Sequence, residues 1–332
     1  MRLAELPRIH VGQLPTPLED AKRLSAVLGG PRIYFKRDDL IGIGLGGNKV
    51  RKLEFIIGKA LEEGADTLVV CGGFQSNMAR LSAAMANRVG LKAELVLGGL
   101  PGEPRPPVGN LLLDHLLGAG IRYVDTVPRW EFGVFLEEVA EELRGQGRRP
   151  YVLELGGSSP EGMAGYFSAS LEMAGQFSAQ GIEPSRVVVA VGSGSTYGGL
   201  VLGSMNVDPT FEVVGISVSR MSDYLSDKIP ELASDAIELL GLDEAPAPGD
   251  LTTYDQYIGD GYGALTDGAC EAIRLVAETE GVFLDPVYTG KCMAGLIDLI
   301  RKGVIGKNET VVFVHTGGSP ALFAYDKDSL MA

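Results

Sequence analysis

Short apolar runs alternate with amphipathic segments over most of the chain. The apolar runs, which have the length of buried strands, are 67–71, 93–97, 187–191, 212–217 and 311–315. The amphipathic segments, with apolar residues at helical spacing, are 79–89, 162–176, 196–205 and 291–302. This alternation predicts an α/β fold of mainly parallel sheets covered by helices. Irregular connections, rich in proline, glycine or basic residues, are expected at 102–108, 144–149 and 246–249.

One further helix is predicted to begin where a glycine pair meets a lysine, in the run GGNK at 46–49. Asn48 is a favoured N-cap residue, and apolar residues follow it at helical spacing (Val50, Leu53, Ile57 and Ala60). Lys49 and Lys52 are three residues apart and therefore share one face of this helix. One amine could form a Schiff base with a carbonyl cofactor while the other binds a phosphate. A solvated basic helix start is the alternative interpretation of an isolated GGNK run.

The composition limits the classes of partner. The chain has 332 residues and a net charge of −14, so nucleic acid and anionic membrane surfaces are not expected to bind it. Its length exceeds that of a typical single domain and favours two lobes that share one active-site cleft. An anionic ligand would need a local positive charge, for which Lys49, Arg51 and Lys52 are the candidates.

The cysteines indicate a reducing environment. Cys71, Cys270 and Cys292 have no CxxC or zinc-type spacing and lie among apolar or small residues. We therefore expect buried free thiols. Residues 1–16 have no apolar signal core, and no stretch reaches the roughly 18 apolar residues that a membrane span needs. The resulting expectation is a soluble, cytoplasmic protein.

The loop after the predicted strand 187–191 has the features of a phosphate site. Its residues are small or carry hydroxyl groups: Gly192, Ser193, Gly194, Ser195 and Thr196. Backbone N–H groups at such a loop and helix start can surround an oxyanion. The dinucleotide fingerprint GxGxxG is broken because Tyr197 replaces its third glycine, and no GxxxxGK[ST] occurs. A nucleotide-binding α/β protein and a simple tight turn are the alternatives.

Three more loops border predicted strands or helices. In the loop 72–78, Ser76 and Asn77 lie at the start of the helix 79–89, where the helix dipole favours a carboxylate or phenolate. Ordinary helix capping is the alternative for this pair. The loops 285–291 and 315–320 carry hydroxyl groups and glycines, and each could be a simple turn. Because ligands bind beyond the carboxyl ends of strands in such folds, four such loops together with Lys49 indicate one binding site.

Five motifs together resemble one enzyme family. They are GGNKVRKLEF (46–55), GGFQSNMAR (72–80), VGSGSTYGGL (191–200), DPVYTGK (285–291) and HTGGSPALFAY (315–325). With the opening run LPTPLEDAKRLSAVLGGPRIYFKRDDL (14–40), their order and spacing resemble the D-cysteine desulfhydrase and 1-aminocyclopropane-1-carboxylate (ACC) deaminase family. The resemblance covers nearly the whole chain. It implies a pyridoxal-phosphate (PLP) enzyme of fold type II, with two lobes that each contain a helix-covered, mainly parallel sheet.

The resemblance also implies an organisation and a set of cofactor contacts. A small lobe, 53–163, would be inserted in a large PLP-binding lobe formed by 1–52 and 164–332, and the protein would be a homodimer. Lys49 would form the Schiff base and move the Cα proton, and Lys52 with the loop 192–196 would bind the cofactor phosphate. Asn77 would hydrogen-bond the phenolic oxygen. Either Thr289 or Thr316 would face the pyridine nitrogen.

A small amino acid is the substrate that the resemblance implies. Ser76 would hold the substrate carboxylate and assist proton transfer, with Asn77 and Met78 beside it. Tyr288 would lie against the cofactor ring with Tyr262 nearby, and both tyrosines are candidates for a catalytic role.

The motif at 285–291 bears on the reaction. ACC deaminases have glutamate where this chain has Thr289, and a neutral hydroxyl makes a weaker electron sink than an acidic partner of the pyridine. This favours β-elimination from a sulfur-containing amino acid, of the D-cysteine desulfhydrase type, giving pyruvate, ammonia and sulfide. Relatives often have His or Gln at Met78 and His at Tyr197, and Met78 cannot donate a hydrogen bond. Cysteate cleavage with sulfite release, ACC deamination and a catalytically idle PLP carrier therefore stay open.

Overall fold

Two sheets organise the chain, of which the computed structural model describes residues 1–99, 106–125, 132–208 and 210–331. The strands in these ranges are β1 (Leu18–Asp20), β2 (Arg32–Arg37), β3 (Thr67–Gly73), β4 (Lys92–Gly99), β5 (Gly120–Asp125), β6 (Pro150–Val152), β7 (Arg186–Val191), β8 (Glu212–Ser217), β9 (Thr252–Tyr254) and β10 (Thr310–His315). The helices are α1 (Lys22–Leu28), α2 (Lys49–Glu62), α3 (Asn77–Val89), α4 (Gly109–Leu116), α5 (Phe132–Gly145), α6 (Pro160–Gln180), α7 (Ser195–Ser204), α8 (Ser222–Leu240), α9 (Asp267–Glu280), α10 (Thr289–Arg301) and α11 (Lys327–Met331).

Both sheets are built mainly from parallel strands. The larger has the order β1-β2-β10-β7-β8-β9 and the smaller β5-β4-β3-β6. All neighbouring strands are parallel except β1 and β2. Helices α1, α9 and α10 pack on one face of the larger sheet, and α6, α7 and α8 on the other. Because both faces are covered, β7 is buried from its second residue onward. The predicted α/β fold with helix-covered, mainly parallel sheets is confirmed.

The elements predicted from the apolar pattern are present. The five predicted strands correspond to β3, β4, β7, β8 and β10, and the four predicted helices to α3, α6, α7 and α10. Their ends differ from the predictions by at most two residues, except that α6 continues to Gln180. The predicted connection 144–149 begins in the last turn of α5, which ends at Gly145, and continues to the start of β6. The predicted connection 246–249 contains the start of a short 3-10 turn, Pro248–Asp250. Of the third connection, residues 102–105 lie outside the described residues.

Helix α2 connects the two sheets. Its residues Val50, Leu53 and Ile57 pack in the core that surrounds the smaller sheet. Phe55, on another side of the same helix, packs against residues of α6, α7 and α8. The predicted lobe boundaries at 52/53 and 163/164 fall inside α2 and α6. The division into 1–52 with 164–332 and 53–163 stays a prediction.

A buried cluster of charged side chains anchors α2 to α6. The Arg51 guanidinium donates to both oxygens of Asp38, at 2.9 Å each, and to both oxygens of Glu172, at 2.8 and 2.9 Å. Lys36 also pairs with Glu172, and the Tyr166 hydroxyl donates to Asp38 at 2.6 Å. Burial alone would raise the pKa of Asp38, but the charge and hydrogen bonds of Arg51 outweigh burial and lower it. The expectation that Arg51 supplies positive charge to a ligand is wrong, because its donors are used in this cluster.

The sequence predicted buried free thiols and no membrane-spanning segment. Cys71, Cys270 and Cys292 are buried and form no disulfides, which confirms the predicted state of the thiols. In the described parts of the chain, no helix combines the length and the apolar character needed to cross a membrane.

Candidate active site

A cleft opens where the carboxyl ends of strands from both sheets meet. Its free volume, counted out to its mouth, is about 940 Å³. Its walls come from the start of α2, the loops after β3, β7, β8 and β10, and the start of α10. The predicted site residues that line it are Lys49, Ser76, Asn77, Met78, Gly192, Ser193, Gly194, Thr196, Tyr262, Tyr288 and Thr316. Motifs far apart in the sequence thus meet in one place, as expected for the strand ends of such a fold.

Two predicted phosphate ligands lie directly behind the cleft surface. Lys52 and Ser195 are fully buried. The Lys52 amine donates to Ser195 Oγ at 2.6 Å and to the Gly156 carbonyl at 3.0 Å. Ser195 Oγ donates in turn to the Gly157 carbonyl at 3.1 Å. The amine is therefore held at the first residue of α7.

Two lysine amines lie close together, and neither is paired with a carboxylate of the described residues. Burial lowers the pKa of Lys49 to about 8, and no carboxylate of the described residues opposes this. Burial also lowers the pKa of Lys52 well below its ordinary value, and the charge of Lys49 lowers it further. Lys49 Nζ makes a long contact of 3.4 Å to the Gly156 carbonyl. A bound dianion such as a phosphate monoester would supply the missing negative charge, and a neutral Lys49 amine can attack a carbonyl carbon.

The loop 192–196 has the geometry of an anion site. Gly194 has a φ of 107°, and a Cβ there would lie 2.7 Å from Ile229 Cδ1, so the position requires glycine. Helix α7 begins at the next residue, Ser195. The backbone N–H groups of its first turn, which have no partner within the helix, are available to an oxyanion. With Lys52 behind them, these groups fit a phosphate.

Asn48 occupies the N-cap position of α2 but does not cap it. Its backbone is helical (φ −54°, ψ −25°) rather than extended, and its side chain makes no cap hydrogen bond. Instead, Nδ2 donates to Thr196 Oγ1 at 3.1 Å, and the backbone N–H donates to the Thr316 carbonyl at 3.0 Å. The predicted capping role is wrong. Asn48 joins the start of α2 to the loops after β7 and β10.

Ser76 and Asn77 lie at the start of α3. Ser76 is its N-cap, with Oγ accepting from the Ala79 N–H at 3.1 Å, so the capping interpretation holds for this oxygen. The hydroxyl hydrogen is still available to a ligand. Asn77 Oδ1 accepts from Asn110 Nδ2 at 3.0 Å and from Arg80 Nη2 at 3.3 Å. This arrangement leaves the Asn77 amide N–H₂ to donate into the cleft.

The two tyrosines face each other in the cleft wall. The hydroxyl oxygens of Tyr262 and Tyr288 are 2.7 Å apart, and the rings meet edge to face with centroids 5.7 Å apart. The Tyr288 ring also lies against the phosphate loop, because a Cβ at Gly192 would be 3.2 Å from its Cε1. The pair can therefore pass a proton between them beside the position of a ligand.

Thr289 lies outside the cleft wall. Its Oγ1 donates to Asp285 Oδ1 and accepts from the Asp285 N–H, both at 2.7 Å, and the residue is fully buried. The hydroxyl is thus used in the turn that begins α10. The sequence left open whether Thr289 or Thr316 faces the pyridine nitrogen. Of these two residues, Thr316 is the one that lines the cleft.

Arg220 is a charged residue of the cleft that was not predicted from the sequence. It follows β8 in a turn held by Ser217, whose Oγ accepts from the Arg220 N–H at 3.1 Å. Its position after a predicted strand was a usable signal. Tyr197 is fully buried and donates to the Thr252 carbonyl at 3.2 Å.

The site thus combines an amine suited to a carbonyl carbon with a second amine and a helix start suited to a phosphate. A family model described as pyridoxal-phosphate dependent enzyme matches residues 9–317. The chain belongs to this family. Pyridoxal 5′-phosphate, with an aldehyde at one end and a phosphate at the other, is its cofactor. The donor set described above fits both ends.

Relatives among the pyridoxal-phosphate dependent enzymes cover almost the whole chain. A D-cysteine desulfhydrase of Salmonella choleraesuis is 42% identical over 326 residues, which are 97% of each chain. A Pyrococcus abyssi protein, provisionally named as a 1-aminocyclopropane-1-carboxylate deaminase, is 42% identical over 329 residues, covering 99% of this chain and 96% of that one. The chain is therefore an enzyme of the group to which these two belong.

Solved structures agree with this membership. An ACC deaminase homologue is 39% identical and superposes with a TM-score of 0.89, covering 99% of this chain and 97% of the other. Threonine deaminase isoform 2 from Solanum lycopersicum has a TM-score of 0.67 at 16% identity, covering 99% and 84%. At that identity the second likeness shows the fold alone, which is PLP fold type II.

Proposed function

We propose that the protein catalyses β-elimination from a sulfur-containing amino acid, with D-cysteine as the leading substrate. The products would be pyruvate, ammonia and sulfide. The observation that carries the proposal is that no described residue lining the cleft is an aspartate or a glutamate. A pyridine nitrogen that faces the Thr316 hydroxyl rather than a carboxylate makes a weaker electron sink. Such a sink suits a substrate whose β-substituent departs readily.

The cofactor would be held at both ends. Lys49 would bind its aldehyde carbon, and the Asn77 amide would donate to its phenolic oxygen. Lys52 and the N–H groups of the loop 192–196 would bind its phosphate. When bound, PLP stabilises the electron pair that remains on Cα after proton loss.

Side chains of this protein would move the protons. Because burial lowers the pKa of Lys49 to about 8, part of its amine is neutral near neutral pH and can take the Cα proton. The Ser76 hydroxyl and the start of α3 would hold the substrate carboxylate. Met78 has no proton to give, so the sulfur would leave as an anion or take its proton from the pair Tyr262 and Tyr288.

ACC deamination is the second candidate. It is supported by the similarity to the Pyrococcus abyssi relative and to the solved ACC deaminase homologue, which is as strong as the similarity to the desulfhydrase. Cysteate, which would release sulfite in the same elimination, is supported by the guanidinium of Arg220 in the cleft, which can attract a sulfonate.

The deciding experiment measures 2-oxo acid and ammonia from the two cysteine enantiomers, cysteate, D-serine and ACC. We expect D-cysteine to have the highest kcat/KM and to give pyruvate and ammonia in equal amounts. D-Serine should react at least about 100-fold more slowly, because hydroxide departs less readily without a strong acid. Lys49→Ala should abolish turnover. Lys59→Ala, on the same helix but paired with Glu161 at the surface, should retain it.

Other outcomes would redirect the proposal. Dominant formation of 2-oxobutyrate from ACC would assign the protein to deamination. D-Serine turnover equal to that of the best sulfur substrate would contradict the argument from the leaving group.

We also propose that the protein is a homodimer in the cytoplasm. An apolar patch with side chains 42–79% exposed lies in one groove beside the start of α2 and the loop after β10; its members are Leu40, Leu45, Leu112, Phe283 and Phe323. Patches of this kind mark interfaces in soluble proteins. The three buried thiols that form no disulfide support a reducing compartment.

A further inference from the structure

The two facing tyrosines are carried by separate pieces of chain. Tyr288 is the N-cap residue of α10, and its backbone N–H donates to Asp285 Oδ2 at 2.9 Å, as does the N–H of Val287. Asp285 therefore fixes Tyr288 within the turn. Tyr262 lies in the connection between β9 and α9, which has no regular secondary structure. Something other than a helix or strand must hold Tyr262 opposite its partner.

The connection that carries Tyr262 has little internal support. Its backbone hydrogen bonds are Ile258 N to the Asp255 carbonyl, at 3.2 Å, and Ala264 N to the Gly261 carbonyl, at 3.3 Å. Gly261, next to Tyr262, has a φ of 139°, which other residues rarely adopt. A glycine-rich segment can adopt many backbone conformations when nothing holds it. The observed conformation therefore depends on contacts from outside the segment.

Lys291 makes two of those contacts, and the Tyr325 hydroxyl makes a third by donating to the Gly263 carbonyl at 2.7 Å. Lys291 is fully buried in the first turn of α10, three residues after Tyr288. Its amine donates to the carbonyls of Ile258, at 2.6 Å, and Gly261, at 2.8 Å. Hydrogen bonds from a charged donor are about twice as strong as neutral ones. The two acceptors are three residues apart along the segment, so the amine bridges them and sets the shape of the segment as well as its position.

We infer that Lys291 is a positioning residue, whose amine holds the segment 258–263 against the first turn of α10 and so places the Tyr262 hydroxyl against that of Tyr288. The same helix turn thereby fixes both tyrosines, one through Asp285 and the other through Lys291. The catalytic consequence rests on the proposed function, in which the pair gives a proton to the departing sulfur. The structural consequence does not depend on that function.

The structural consequence is tested by hydrogen exchange on the cofactor-free protein. In Lys291→Met, amides of the peptide covering 256–266 should exchange about tenfold faster, while those in the body of α10 stay unchanged. Lys307→Met, at an exposed lysine beyond the other end of the same helix, is the control and should change neither. Unchanged exchange of 256–266 in Lys291→Met would overturn the inference. If this variant does not fold, Lys291→Gln, which keeps a shorter donor, replaces it.

The catalytic consequence is tested by a double-mutant cycle with Tyr262→Phe. On D-cysteine, Lys291→Met and Tyr262→Phe should each lower kcat about 10- to 100-fold, and the double variant should lose little more than either alone. With β-chloro-D-alanine, whose chloride needs no proton, all three should remain near the wild type. Equal losses from Lys291→Met with and without Tyr262 would overturn the positioning role. If Tyr262→Phe alone leaves D-cysteine turnover intact, the proton role of the tyrosines fails instead, and the exchange experiment still judges Lys291.

Discussion

The amines of Lys49 and Lys52 have no carboxylate partner among the described residues. Both amines are desolvated, and the pKa of each is lowered chiefly by burial. Below those lowered pKa values, the folded state holds positive charge in a site where charge is unfavourable. Binding of an anion offsets this cost, so the affinity for a phosphate and the stability of the bound protein are coupled. Groups placed for function in this way commonly reduce the stability of the free protein.

Replacing Lys49 should therefore stabilise the cofactor-free protein. The folded pKa is about 8 against an ordinary value of 10.5, so folding is opposed most strongly below pH 8, where the amine is charged in both states. We expect Lys49→Met to gain on the order of 1–3 kcal/mol in free energy of unfolding at pH 7. The advantage should shrink between pH 8 and 10.5, because the folded wild type loses its proton before the unfolded chain does. Urea unfolding across pH 7–10 measures this.

A suitable control for that experiment is Lys59→Met on the same helix. Lys59 is paired with Glu161, whose hydrogen bond raises the lysine pKa. Its loss should not stabilise the protein. A Lys49→Met variant that is less stable than the wild type at pH 7 would contradict the stated cost of burying this amine.

Some site residues could be predicted from the local sequence, and others could not. Lys49, Ser76 and the glycines of 192–196 have local signals, because each lies where a strand ends or a helix begins. Thr289 and Thr316 have the same local signal, and only the phase of α10 shows that Thr289 points at Asp285. The cap position of Asn48 was predicted correctly, but the capping hydrogen bond was not. Its side chain instead bonds Thr196, which is about 150 residues away along the chain and could not be foreseen from the local sequence.

At the scale of elements, α2 is stabilised by what lies beneath it rather than by its own cap. Asp38 accepts hydrogen bonds from Arg51, Tyr166 and, at 2.8 Å, the Thr16 hydroxyl. Three segments of chain thus meet on one buried carboxylate. Removing one member of such a cluster leaves the others with unpaired charge or unmet hydrogen bonds.

Asp38→Asn should consequently destabilise the protein by about 3–5 kcal/mol at pH 7. Since Arg51 lowers the folded pKa of Asp38 below its ordinary 3.8, the charged carboxylate contributes stability above that value. This contribution is lost as the pH falls through the lowered pKa, so the difference between variant and wild type should narrow in acid. Denaturant unfolding at pH 7, 5 and 3 tests this. Asp20→Asn, in a surface pair with Arg32, should change stability by less than about 0.5 kcal/mol.

Strands that form continuous apolar runs could be predicted from the sequence, and the shortest strands could not. β7, β8 and β10 are continuous apolar runs because helices cover both faces of the sheet. β6 and β9 have only three residues, all half-buried, and their sequences carry no run long enough to stand out. β9 exists because β8 offers an edge for pairing, which is a property of the assembled sheet and not of the segment.

At the scale of the whole molecule, the exposed apolar patch that contains Leu45 and Phe323 lies outside the catalytic cleft. If it is a dimer interface, charge placed in its centre should separate the subunits. We expect the double variant Leu45→Glu, Phe323→Glu to sediment at the mass of one 35.1 kDa chain, and the wild type at twice that mass. Val27→Glu, an exposed apolar position in a different groove, should not change the mass. A wild type that is monomeric at micromolar concentration would contradict the proposed assembly.

The order of strands in the larger sheet has a consequence for the way the protein is made. β10 is the last of the described strands to be synthesised, yet it pairs with β2 on one side and β7 on the other, at the centre of the sheet. Until it leaves the ribosome, β1 and β2 cannot join the strands that carry the phosphate loop. Lys49 and the loop 192–196 are therefore both present in the nascent chain before the sheet between β2 and β7 is complete. Completion of the larger sheet, and of the cleft wall at Thr316 that follows β10, must therefore wait for release of the nearly complete chain, and a chain that stops before residue 310 lacks both.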